Sequence, residues 1–84
     1  MNHIVIREKI SLVLHNIRSV RHFRNFTQEY LAVQMGISPK TYSKIENGVI
    51  TLTVEYLLQI AEILNIELSQ LIGNESISAV SVLT

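Results

Sequence analysis

The stretch TQEYLAVQMGISPKTYSKIENG, Thr27 to Gly48, decides the fold. Thr27 suits a helix N-cap, because its hydroxyl can accept a free backbone N–H of the first turn. Phe26 before it and Leu31 after it are spaced for a hydrophobic staple, and Leu31, Ala32 and Met35 form an inward stripe. Gly36 supplies the left-handed residue that ends the helix. Ser38 then caps a second helix with Pro39 at its first position, where the missing N–H costs nothing. Ile37 and Tyr42 repeat the staple, and Asn47-Gly48 closes the unit. The spacing predicts helices over 28–35 and 39–46, joined by a glycine turn.

Outward from this unit the same periodicity continues. Ile6, Ile10, Val13, Leu14, Ile17 and Val20 recur at helical spacing and predict a first helix over about 6–23. Arg18, Arg21 and Arg24 fall in its last turns and just beyond, where cations suit the helix dipole. After a short connector, Gly48 to Leu52, Thr53 caps a fourth helix that runs through Leu64. Leu52 and Leu57 are its staple, Val54, Leu57, Leu58, Ala61 and Leu64 its inward residues, and Asn65 its left-handed end. A fifth helix, about 68–72, carries Leu68, Leu71 and Ile72 and stops at Gly73. The expectation is an all-α chain, a compact five-helix bundle over residues 1–75.

Residues 76–84 (SISAVSVLT) stand apart, uncharged, β-branched and roughly alternating. Two readings are open. One is a disordered tail; the other is a strand or dimerisation arm that pairs with a second subunit, since a lone strand has no ladder partner.

Composition narrows the classes. At 84 residues the chain supports one small core. With 48% hydrophobic and only 17% charged residues, some apolar side chains are expected to meet a partner subunit. Cysteine is absent, which excludes disulfides and thiolate metal sites. Arg7, Glu8 and Lys9 argue against a signal peptide in the N-terminal apolar stretch, and Glu55 and Glu62 against a membrane span after Gly48. A cytoplasmic, nucleoid-associated protein is expected. Net charge is zero, yet residues 1–44 carry +5 and residues 45–84 carry −5. One face is therefore suited to a polyanion.

Two short helices joined by such a turn form a helix-turn-helix, which offers its second helix to a DNA major groove. The outward candidates there for base contact are Pro39, Lys40, Thr41, Ser43 and Lys44. Lys40 and Lys44 are four apart and share a face. Lysine can donate to guanine N7 and O6, hydroxyls tolerate several bases, and Pro39 offers apolar contact to a thymine methyl. The competing reading of the lysines is a solvated helix face, or phosphate contact without base reading. Thr27, Asn47, Arg18 and Arg24 are phosphate candidates by position. An enzyme is not expected: there is no aspartate, cysteine or glycine-rich phosphate loop, and His15 and His22 read as surface residues. No cofactor or metal is implied.

The chain resembles the Cro and phage-repressor helix-turn-helix family, also called Xre-like. The resemblance rests on Arg21, T-Q-E-x-L-A over Thr27 to Ala32, Gly36-Ile37-Ser38 and S-K-I-E-N-G over Ser43 to Gly48. L-L-Q-I-A-E-I-L over Leu57 to Leu64 and E-L-S-Q-L over Glu67 to Leu71 extend it, so that roughly residues 7 to 72 are covered. Departures are an early first-helix start, Tyr42 where an aliphatic residue is common, and a tail without a family counterpart. The resemblance implies a lambda-repressor-like domain whose second motif helix enters the major groove. It gives Gln28 a phosphate, which a helix N-terminus would favour, and makes Arg21 and Glu46 a partly buried structural ion pair. It also implies a transcriptional regulator, expected to be a repressor, acting as a dimer on palindromic double-stranded DNA. The surface of the fourth and fifth helices is the expected interface, with Leu58, Ile63, Ile66, Val80 and Val82 as candidates; the competing reading is that these residues complete the monomer core. Alternative readings are an antitoxin that binds a toxin protein and autoregulates its operon, and a restriction–modification controller.

Overall fold

Asn2 sets where the first helix starts. Its side-chain oxygen accepts the Val5 N–H at 3.0 Å, so α1 runs His3–Phe23, three residues longer at its N-terminus than the apolar spacing alone indicates. The computed structural model describes residues 2–73. After α1 come α2 (Gln28–Met35), α3 (Pro39–Glu46), α4 (Val54–Leu64) and α5 (Leu68–Leu71). The motif helices have the predicted bounds, with the Thr27 and Ser38 hydroxyls accepting the Tyr30 and Thr41 N–H groups at 3.0 Å each. The expectations for residues 76–84, with Val80 and Val82, lie outside the described residues.

Four helices end in one way. Asn25, Gly36, Gly48 and Asn65 have φ of 59°, 71°, 79° and 52°. The next residue in each case donates its N–H five residues back: Phe26 to Arg21, Ile37 to Ala32, Val49 to Lys44 and Ile66 to Ala61. This is the Schellman arrangement, in which a left-handed residue lets the chain turn back on its own last carbonyls. The following side chain packs inward for Phe26, Ile37 and Ile66. Val49 departs from that pattern and is 72% exposed.

The core draws on every helix: Leu14, Ile17 and Val20 from α1, Leu31 and Ala32 from α2, Tyr42 from α3, Ile60, Ala61 and Leu64 from α4, and Leu71 from α5. Fully burying such an aliphatic side chain stabilises by about 1.5–3 kcal/mol. On α4 the buried stripe is Ile60, Ala61 and Leu64, while Val54 and Leu58 are exposed. The helix is therefore rotated from the stripe that the sequence indicates, with Ile60 inward. On α1 Asn16 is fully buried and donates from Nδ2 to the Leu71 carbonyl at 3.1 Å, tying the short α5 to α1. Its amide supplies a donor to a helix-end carbonyl, one of the groups that a helix terminus leaves without an intrahelical partner. Among the described residues no helix is long and apolar enough to cross a membrane.

Candidate nucleic-acid interface

The last two turns of α1 hold α3 in place. Arg21 donates from Nε to Glu46 Oε2 at 3.0 Å and from Nη2 to Glu46 Oε1 at 2.9 Å, a bidentate pair that fixes both groups. Its Nη1 donates to the Phe26 carbonyl at 3.0 Å, binding in the α1–α2 turn. Both residues are buried, at 7% and 1% exposed. Burial works against charge on either group, but the hydrogen bonds and mutual attraction outweigh it. Glu46 is held below the usual carboxylate range and Arg21 above the usual guanidinium value. The Tyr42 ring is fully buried on the same helix, with no hydrogen bond to its hydroxyl. Burial, then the nearby Glu46 carboxylate, push that phenol up.

Arg18 and Arg24 lie one turn to either side of Arg21, and both reach carbonyls of the chain itself. Arg18 Nη1 donates to the Glu46 carbonyl at 2.8 Å, at the end of α3. Arg24 donates from Nε to the Leu64 carbonyl at 2.9 Å and from Nη2 to the Asn65 carbonyl at 3.1 Å, closing the end of α4. A cation at a helix C-terminus satisfies free carbonyls and meets the negative end of the dipole. These bonds are absent from a reading of the sequence, although the spacing of three between arginines puts them on neighbouring turns of one face. A phosphate would have to use the N–H groups that these carbonyls leave over.

With its inner face fixed through Tyr42, Ile45 and Glu46, α3 turns its remaining residues outward. Pro39, Lys40, Lys44 and Asn47 are exposed, and Thr41 and Ser43 half-buried. The hydroxyls are oriented. Ser38 donates to Thr41 Oγ1 at 2.9 Å, and Asn47 Nδ2 donates to Ser43 Oγ at 3.4 Å. Each accepting hydroxyl keeps its own hydrogen to give away.

At the N-terminus of α2, Thr27 is exposed and Gln28 half-buried. Gln28 Nε2 donates to Glu46 Oε1 at 3.3 Å. The buried carboxylate thus steadies Gln28 as well as Arg21, and the second amide hydrogen and the amide oxygen remain for other partners. The resulting surface is a row of cationic and hydroxyl donors on α3 beside the N-terminus of α2. That arrangement suits an extended anion with donor and acceptor groups at its edge. On the separate surface expected between two copies, Leu58 is 50% exposed, whereas Ile63 and Ile66 are partly buried and pack against the core. Among the described residues no cluster of histidines and glutamates is placed to hold a metal ion.

A family model described as helix-turn-helix matches residues 17–71, from the last part of α1 through α5. No curated protein and no solved structure matches the chain.

Proposed function

This chain belongs to the Cro- and phage-repressor-type helix-turn-helix family and is thus a DNA-binding regulator; we propose that it reads a palindromic operator as a dimer and represses from it. The observation that carries this reading is the pair of exposed lysines, Lys40 and Lys44, on a helix whose inner face is clamped by Arg21 and Glu46. Lys40 and Lys44 donate to guanine edges, Thr41 and Ser43 add hydroxyl contacts, and Pro39 meets a thymine methyl. Thr27, Gln28 and Asn47 hold phosphates, which sets register rather than sequence. Arg18 and Arg24 serve first as caps for α3 and α4.

One such helix reads a short half-site, so specificity calls for two copies with half-sites about one helical turn apart. The α4–α5 surface around the exposed Leu58, with Ile63 and Ile66 at its margin, is the proposed contact between copies. A dimer seated on its site excludes polymerase sterically, which makes repression the simplest consequence. Selecting bound sequences from a random duplex pool tests the reading. A recovered palindrome whose half-site preference disappears when Lys40 and Lys44 are both changed to Ala supports it. Recovery of unrelated sequences, or a preference that survives the double change, would refute it.

A further inference from the structure

The N-terminal half of α1 carries an apolar groove that the DNA-binding reading leaves unused. Ile6 and Ile10 are 41% and 46% exposed, and Ile72, just past α5, is 51% exposed. Two clefts share Ile10 and Val13. One, of about 330 Å³, lies against Ile50 and Leu52, and the other, of about 270 Å³, reaches from Ile6 to Ile72 and Gly73. In water such a surface favours being covered.

We propose that this groove seats the chain's own residues 76–84. The second cleft is lined by Gly73, so the segment that follows begins at the groove itself. Residues 76–84 carry no charge and hold Ile77, Ala79, Val80, Val82 and Leu83, a composition that matches the lining. Residues 74–84 alone reach about 36 Å when extended. The stretch of α1 from Ile6 to Leu14 is only about 12 Å long. Charge supports the register too. Among the described residues Lys9 is the single charged one lining either cleft, and it lies in the cleft that Gly73 also lines; Glu75, two residues after Gly73, is the single charged side chain in 74–84. A segment tethered at the rim reaches the groove at a local concentration that a second molecule matches only when the protein is concentrated.

Because the chain has no cysteine, Ser81→Cys accepts one nitroxide label in the 84-residue chain. The amide resonances of Ile6, Ile10 and Val13 should then broaden strongly, with those around Val33 on α2 as reference. In a mixture of isotope-labelled chains without nitroxide and nitroxide-bearing chains without isotope, the same resonances should stay sharp. Changing Ile10 to Ser should restore them while α2 and α3 resonances keep their positions. Uniform or absent broadening would overturn the proposal. Broadening in the mixed sample would overturn it in favour of a segment donated by a second copy.

Discussion

The two halves of α1 share one helix and one apolar period, yet they live in different surroundings. From Leu14 onward the helix is lined with partners: Leu14, Ile17 and Val20 lie in the core, Asn16 holds α5, and three arginines bind the ends of α3, α4 and the α1–α2 turn. Before Leu14 the same period brings Ile6 and Ile10 to a groove that no other described helix fills, and Ile4 is 68% exposed. Periodicity therefore says which residues share a face, but not whether another helix lies against it. The difference also revises the charge argument. Part of the basic excess in residues 1–44 is spent within the scaffold, since Arg21 is neutralised by Glu46 and Arg18 and Arg24 are engaged on carbonyls. Lys40 and Lys44 carry the exposed charge on α3.

The contrast is sharpest for Arg21. Changing it to Ala leaves a buried carboxylate unpaired, for a loss of about 3–5 kcal/mol in denaturant unfolding. In the same half, Ile17→Ala should remove about 2–5 kcal/mol, because Ile17 is 1% exposed. A loss below about 1 kcal/mol would mean, for Arg21→Ala, that the clamp is weaker than its geometry implies and, for Ile17→Ala, that the core closes over the gap.

Arg24→Ala comes next, with about 1.5 kcal/mol expected from the lost bonds to the Leu64 and Asn65 carbonyls. Its DNA affinity should keep the same slope against salt. If stability holds and the slope instead falls by about 0.9, Arg24 is a phosphate contact and not a cap.

Acidity acts on the same clamp. Glu46 has a folded pKa below its ordinary value near 4.5, so its contribution is present above that value and is lost as pH falls through the lower, folded one. Tyr42 has the opposite sense. Its folded pKa is above the ordinary 10.0, so stability fades as pH rises past that value. Glu46→Gln should flatten the acid side of a stability–pH curve, and an unchanged acid limb would contradict the assignment.

The smallest effects belong to the open surfaces. Ile4→Ser should shift stability by no more than about 0.5 kcal/mol, as should the double change of Lys40 and Lys44 to Ala. The lysine pair should nevertheless lose sequence preference in a binding competition. Ile4 lines neither cleft, so a large stability change from Ile4→Ser would show that the helix start is packed by the rest of the fold, and so break the contrast between the halves of α1.

Local chemistry was legible where one residue decides a backbone shape. Thr27, Ser38 and Thr53 accept first-turn N–H groups, and Gly36 and Asn65 adopt left-handed φ, because capping and turn preferences act over three or four residues. Asn25 does the same at the end of α1 and is readable only once that end is placed. The candidates on α3 follow from the same local order, since Lys40 and Lys44 share whichever face Tyr42 and Ile45 do not bury.

What the sequence determined by itself is the helix order, the motif and the family, each carried by short-range spacing and composition. Tertiary structure decided the rest. It turned α4 to bury Ile60 instead of Val54 and Leu58, sent Arg18 and Arg24 to helix-end carbonyls, buried Asn16 against Leu71, and brought Gln28 to Glu46. Each depends on which groups from distant parts of the chain come within hydrogen-bond or van der Waals reach. That is a property of packing, and a one-dimensional pattern does not carry it.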